Sequence, residues 1–178
     1  MPKDTILILI AVAVGGGIVA AIAYYVTRFM RGSIKLSMSR TTFNPGDAIT
    51  GSFDLLTKKP IQGNQLVVSL IGVEITRTRH DGRSRTRSHE IYRDEVVLEE
   101  AKEYQAGQTS KHEFEIAAPN TSEPGFMNSA LGKTLGAALS FLGNRRKRLK
   151  WKIEARLDAK GVDLKATKSI RINMKQLA

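Results

Sequence analysis

Polar and apolar residues alternate strictly along Ser33-Ile34-Lys35-Leu36-Ser37-Met38-Ser39. Successive side chains of a β-strand point to opposite faces, so the pattern predicts a strand with Ile34, Leu36 and Met38 on its buried face. Further strand-like segments follow, without a long helical period among them. About seven antiparallel strands in roughly 145 residues predict an all-β, immunoglobulin-like two-sheet β-sandwich. The predicted strands are residues 33–39, 48–56, 64–78, 83–99, 110–117, 149–159 and 162–174.

Turn-forming residues separate the predicted strands. Asn44-Pro45-Gly46-Asp47 predicts a tight turn, because proline fixes φ and glycine accepts a positive φ. Asp81-Gly82 predicts a two-residue hairpin turn between the third and fourth strands. Gly72, inside the third strand, indicates a bulge or a close approach of another group to the backbone.

Residues 6–26 contain neither a charged residue nor a proline. As a helix rising 1.5 Å per residue, they would span roughly 30 Å, the thickness of the hydrocarbon core of a bilayer. The sequence therefore predicts one transmembrane helix and two parts of the chain, an anchor at residues 1–31 and a sandwich domain at residues 32–178. The predicted anchor residues are Ile6, Leu7, Ile8, Leu9, Ile10 and Val26, the interfacial Tyr24 and Tyr25, and the flanking Arg28 and Arg31.

The charges beside the apolar segment predict its orientation. Arginines follow it at once, whereas Lys3 on its N-terminal side is offset by Asp4. The positive-inside rule then predicts a single-pass protein with its N-terminus outside and its C-terminal domain in the cytoplasm. A cleaved signal peptide is the alternative, because Ala21-Ile22-Ala23 resembles a cleavage site. The length of the segment and the arginines after it favour the anchor.

Composition narrows the classes of function. The chain has no cysteine, which excludes disulfides, thiolate nucleophiles and thiolate metal ligands. No glycine-rich phosphate loop, metal-ligand cluster or Gly-x-Ser-x-Gly motif occurs. We therefore predict a protein that is not an enzyme, with no catalytic residue, cofactor, bound metal or small-molecule substrate. The formal net charge is +11, and residues 120–178 hold thirteen basic and four acidic residues, which indicates an anionic partner near that part of the fold.

The first candidate for a function is the hairpin tip around Asp81-Gly82. With a two-residue turn, Thr78 faces Arg85 and Arg77 faces Thr86. Basic side chains then lie on both faces of the hairpin, so the tip is expected to project into solvent. Two roles are open for the arginines. In the first, they only discourage pairing at the strand edge. In the second, they bind phosphate or carboxylate groups in a bidentate manner. They are Arg77, Arg79, Arg83, Arg85 and Arg87.

The second candidate is an insertion, residues 120–150, before the last two strands. Apolar residues at helical spacing, followed by a basic cluster, predict a short amphipathic helix. This helix either lies in the interface of a membrane that contains anionic lipids or packs on the edge of the sandwich. The apolar residues are Phe126, Met127, Leu131, Leu135, Leu139 and Leu142, and the basic residues are Arg145, Arg146, Lys147, Arg148 and Lys150.

Four segments carry a resemblance to a known family. Residues 43–51 combine an aromatic residue, Pro-Gly, an acidic residue and a glycine that opens a strand, and residues 66–74 end an apolar alternation in Gly-x-Glu. Residues 114–119 end a strand in proline, and residues 151–158 follow the pattern Trp-x-Ile-x-Ala-x-Leu-Asp. In this order they resemble the arrestin-like fold family, which has sporulation-control-like prokaryotic members. The resemblance covers residues 32–174 and implies a single-sandwich adaptor or scaffold without catalysis.

Three functions are consistent with these features. The first is a membrane-tethered adaptor that binds a protein partner at the membrane, with strand addition at a sandwich edge as one mode of binding. The second is a domain that senses anionic lipids through residues 126–150. The third, nucleic-acid binding, is the least favoured, since no recognised motif occurs and the basic residues are not interleaved with aromatic ones.

Overall fold

A computed structural model of the chain describes residues 16–17, 19, 21–27, 29–80, 83–120, 130–140 and 147–174. These residues contain nine strands and, after the seventh, the helix α1 (Ala130–Ser140). The strands are β1 (Gly32–Ser37), β2 (Thr42–Phe43), β3 (Ala48–Thr57), β4 (Ile61–His80), β5 (Arg83–Glu99), β6 (Lys102–Tyr104), β7 (Thr109–Ala117), β8 (Lys147–Ala159) and β9 (Leu164–Ile172).

Two sheets enclose one hydrophobic core. The small sheet has the order β1–β3–β7, and the large sheet has the order β2–β9–β8–β4–β5, with β6 paired to the start of β4. All pairings are antiparallel except the short one between β2 and β9. The predicted β-sandwich is therefore confirmed. The sequence did not predict β2 and β6, because two or three residues are too few to show an alternation.

The core follows from the alternation of side chains along the strands. On β4, Leu66, Val68 and Leu70 are fully buried and belong to the core between the sheets. Val67, Ser69 and Ile71 on the other face of β4 are fully buried as well, so this stretch of the strand is covered on both faces. On β1, Ile34 and Leu36 pack against the same core but are only half-buried, since β1 lies at the edge of the small sheet. Burial of each large aliphatic side chain contributes about 1.5–3 kcal/mol to folding.

The predicted turn and the predicted irregularity are both present. Gly46 has φ +82°, and the Asp47 N–H donates to the Asn44 carbonyl oxygen at 3.1 Å, as in a tight Pro-Gly turn. At Gly72 the β4–β5 register shifts, and a Cβ atom there would lie 2.9 Å from the ring of Trp151. The glycine in β4 therefore marks a bulge and also makes room for a buried indole.

The prediction of a transmembrane helix is wrong. In the part of the chain that the structure describes, no helix is long and apolar enough to cross a membrane. In the N-terminal segment the described helical residues are 16–17, 19, 21–27 and 29–31. Hydropathy measures how apolar a segment is and does not by itself establish a helix that crosses a membrane.

The C-terminal end of this helical segment is attached to the sandwich. The Arg31 guanidinium donates to the carbonyl oxygens of Lys160 and Val162, both at 3.0 Å, and the Lys58 ammonium lies 3.5 Å from the ring centroid of Phe29. The predicted anchor residues Tyr24, Tyr25 and Val26 are exposed. The other predicted anchor residues, Ile6, Leu7, Ile8, Leu9, Ile10 and Arg28, lie outside the described residues.

Candidate functional site: a basic corner of the large sheet

The hairpin of β4 and β5 extends beyond its neighbour in the sheet. β8 pairs with β4 only as far as the Thr76–Lys147 pair, whereas β4 and β5 stay paired to His80 and Arg83. Among the described residues, the last part of the hairpin is therefore a two-stranded ribbon, and its side chains Arg77, Thr78, Ser84 and Arg85 are exposed. In its register Thr78 lies opposite Arg85, as the two-residue turn predicted, while Asp81 and Gly82 themselves lie outside the described residues.

The ribbon carries arginines on both faces. Paired residues of adjacent strands share a face, so Arg77 lies on the outer face of the large sheet, together with Ile75. Arg85 and Arg87 lie on the opposite face, across from Thr78 and Thr76. All three arginines are exposed, and the Arg77 Nε–H donates to the Ser84 hydroxyl at 2.8 Å. Of Arg79 and Arg83 the structure describes only the backbone, which lies in the same ribbon.

The start of β8 brings the second predicted basic segment to the same place. Arg148 lies opposite Ile75 and Lys150 lies opposite Val73, so both point to the outer face that Arg77 shares. In the sequence, the hairpin arginines and the basic cluster at the start of β8 are two separate features. The pairing of β4 with β8 brings them together. We call the joined surface the basic corner, and its described residues are Arg77, Arg85, Arg87, Arg148 and Lys150. Of Lys147 the structure describes only the backbone, and Arg145 and Arg146 lie outside the described residues.

Two acidic residues lie close to the basic corner in the sheet: Glu74, which neighbours Ile75 in β4, and Glu90, which lies opposite Val73. None of the five residues of the corner forms an ion pair within the described part of the chain, and both Arg148 and Lys150 are exposed. Like charges at adjacent positions of a sheet destabilise it slightly, by a few tenths of a kcal/mol per pair. An anionic ligand would relieve that repulsion, so the corner is suited to bind one.

The other half of the same face is electrically balanced. Arg93 donates to the Glu90 carboxylate at 2.7 Å and to the Glu95 carboxylate at 2.8 Å, and the Ser69 hydroxyl donates to Glu95 at 2.8 Å. Farther along, the Lys152 ammonium lies 3.6 Å from the Glu154 carboxylate. The excess positive charge of this face is therefore concentrated at the ribbon end.

The Arg93 ion pairs give the domain a measurable acid sensitivity. The hydrogen bonds from Arg93 lower the pKa of Glu90, and those from Arg93 and Ser69 lower the pKa of Glu95. Their stabilisation is complete above the ordinary glutamate pKa of about 4.3 and is lost as the pH falls through the lowered folded values. We expect the urea midpoint of the native chain to fall more steeply below pH 5 than that of Arg93→Gln. The side chains are 34–43% exposed, so the difference is modest and high salt should reduce it, whereas equal slopes would contradict the assignment.

The helix of the insertion packs on the sandwich. Leu135 of α1 is fully buried and belongs to the same core as the two sheets, and α1 contacts the edge strand β5. This position supports the second of the two predicted alternatives, a helix on the sandwich edge. The side chains of Leu131 and Leu139, and residues Phe126, Met127 and Leu142, lie outside what the structure describes.

A cleft adjoins the basic corner, and no sequence pattern predicts it. It has a volume of about 410 Å³, and Lys150 on β8 and Arg171 on β9 both line it. Arg171 lies in β9 between two isoleucines, and only the fold places it beside Lys150. Within the described residues no group of three or more His, Asp or Glu side chains could hold a metal ion.

Comparison with known proteins shows the fold. No protein-family model and no curated protein sequence matches the chain. Among solved structures, it is similar to the crystal structure of Spo0M, a sporulation control protein from Bacillus subtilis, with a TM-score of 0.54 and 12% sequence identity. The match covers 82% of this chain and 50% of that one, so the chain spans about half the length of the protein it matches. Together with the motifs of residues 43–51 and 151–158, this likeness shows that the chain has an arrestin-like β-sandwich fold.

Proposed function

We propose that this chain is a non-catalytic adaptor domain that binds an acidic segment of a protein partner through the basic corner. The observation that carries the proposal is the convergence of Arg77, Arg148 and Lys150 on one face, without an ion pair in the described part of the chain. Guanidinium groups bind carboxylates in a planar, bidentate geometry, which favours an acidic ligand over a neutral one.

We propose a role without catalysis because of how the polar groups of the sandwich are arranged. Ser110 and His112 form the pair that most resembles a nucleophile and its base, with 2.9 Å between the hydroxyl and Nε2. The His112 ring, however, stacks on the buried Phe53 with 5.2 Å between ring centroids, so its orientation is explained by packing. A hydrolytic site also needs oxyanion donors and a cleft at the nucleophile. The arrestin-like fold supports a binding role by analogy.

A protein partner agrees better with the geometry than a lipid surface. Arg77 lies on one face of the ribbon, whereas Arg85 and Arg87 lie on the other, and a flat membrane can contact only one of these faces. A partner segment can contact both. The apolar contribution expected of an interfacial helix is also reduced, because Leu135 is buried in the core.

A matched pair of charge reversals tests the proposal. The variant Arg77→Glu/Arg148→Glu takes one residue from each converging segment, and the control Lys35→Glu/Lys111→Glu changes the outer face of the small sheet, where both lysines flank Asp54. Each pair of replacements lowers the formal charge by four, from +11 to +7. The ligand is a fluorescently labelled octapeptide of alternating glutamate and valine, and binding to the full chain is measured by anisotropy.

We expect the corner variant to bind the peptide about tenfold more weakly, because it removes two exposed ionic contacts of roughly 0.7 kcal/mol each, and about 1.4 kcal/mol corresponds to a factor of ten. The control should retain native affinity, and added salt should weaken binding to the native chain. Equal losses in both variants would show that only net charge matters and would overturn the proposal. Binding to phosphatidylserine vesicles without any binding to the peptide would favour the anionic-lipid function instead.

A further inference from the structure

The strands β8 and β9 separate at one end of the large sheet. Their pairing runs from Leu157–Leu164 to Trp151–Ile170 and stops there, while β8 continues for four more residues to Lys147. Over those residues β8 pairs with β4 alone. The end of β9 bonds in the other direction, since the Arg171 N–H donates to the Thr41 carbonyl oxygen at 2.8 Å.

The separation leaves one edge of β8 without a partner strand among the described residues. At about 3.3 Å per residue, the free edge at residues 147–150 is roughly 13 Å long. Alternate residues of a strand direct their N–H and C=O groups to the same edge, so two of the four residues present both groups to the gap. Such an edge pairs readily with an extended segment.

The cleft of about 410 Å³ occupies this gap, and its lining is amphipathic. Its volume falls within the range of roughly 300–1,000 Å³ that is usual for ligand clefts. Lys150 and Arg171 are exposed cations at its rim, whereas Trp151, only 4% exposed, and Ile170 form an apolar floor with Met174 close by. Cations on one side and apolar groups on the other match a strand that alternates acidic and aliphatic residues.

We infer that the cleft between β8 and β9 binds an extended acidic segment of a partner protein as an added strand on β8. The inference rests on the proposed function, because Lys150 belongs both to the basic corner and to the cleft. Glutamate or aspartate side chains of the segment pair with Lys150 and Arg171 on the outer face. Alternate aliphatic side chains of the segment pack toward Trp151, and its backbone bonds to the free edge of β8.

Two separate signals distinguish the inference from the proposed function. The anisotropy of the labelled glutamate–valine octapeptide reports binding anywhere on the full chain. Trp151 is the only tryptophan of the chain and lines the cleft, so its emission reports occupancy of the cleft itself. Two N-methylated forms of the peptide, one methylated at every valine and one at every glutamate, keep the charge but remove the N–H donors of one edge each.

We expect the octapeptide to change the Trp151 emission and at least one methylated form to bind tenfold more weakly. Arg171→Glu should also weaken binding tenfold, while Lys160→Glu, an equal charge change at the exposed β8–β9 turn, should not. If both methylated forms bind like the parent and the Trp151 emission stays constant, the strand-addition inference is overturned while the proposed function stands. If the native chain does not bind the octapeptide at all, both are overturned.

Discussion

Phe53→Ala is expected to lower the free energy of unfolding by about 3–5 kcal/mol, the usual cost of removing a buried aromatic ring. Phe53 is only 1% exposed, lies on the inner face of β3, and stacks on His112 of the neighbouring strand. Its removal leaves a cavity between the two sheets, which the paired β-strands cannot close without breaking their register. Domains of this size have a free energy of unfolding of about 5–15 kcal/mol, so this one replacement removes a large fraction of that free energy.

Urea unfolding followed by the emission of Trp151 measures this loss. The comparison is Val97→Ala on β5, which also removes apolar atoms but from a side chain that is 47% exposed. We expect the Val97 variant to differ from the native chain by no more than about 0.5 kcal/mol. A Phe53 variant as stable as the Val97 variant would mean that the ring does not belong to the core.

Alternation along the chain predicted the seven longer strands but not β2 and β6, because a period of two is a local property that needs more than two or three residues to show. Residues 33–39 show it clearly, and most of them form β1 with Leu36 directed toward the core. In residues 64–78 the alternation is weaker, because Val67 and Ile71 are also apolar and are buried on the other face of β4. The prediction of a transmembrane helix rested on hydropathy alone, and no described helix is long and apolar enough to cross a membrane. The position of α1 was left open between two alternatives, since an amphipathic face has the same pattern against lipid and against a sheet.

Only part of the candidate site could be predicted from the sequence, because its basic segments are local features whereas their convergence is not. The arginines of the hairpin and the basic residues near Arg148 were each visible in the sequence, and the register of Thr78 opposite Arg85 followed from the Asp81-Gly82 turn. Their convergence was not visible, because it depends on pairing Ile75 with Arg148, more than seventy positions away. No sequence pattern predicts the separation of β8 and β9. It depends on where β9 bends away from β8 in the folded sheet.

Gly51→Ala is expected to destabilise the domain by about 2 kcal/mol, although it adds only one methyl group. Gly51 lies within β3 opposite Phe114, whose ring lies across it. A Cβ atom at this position would lie 2.6 Å from Cζ of Phe114 and 2.9 Å from the backbone carbonyl oxygen of Ser37. The phenyl ring borders a groove of about 610 Å³ and can shift partly, whereas the carbonyl oxygen belongs to the neighbouring strand β1 and cannot move without disturbing the sheet. Overpacking of this kind costs about 1–3 kcal/mol and outweighs the 0.5–1 kcal/mol that alanine recovers over glycine.

A double-mutant cycle identifies the clash as the cause. Phe114→Leu shortens the side chain that the new methyl group meets, so Gly51→Ala should cost about 1 kcal/mol less in that background than in the native chain. Ser52→Ala, at the next position of β3 and on the outer face, should stay within about 0.5 kcal/mol of native. Strictly additive losses at Gly51 and Phe114 would show that the ring does not cross the glycine. The requirement for glycine in the β3 motif would then have to come from the Ser37 backbone alone.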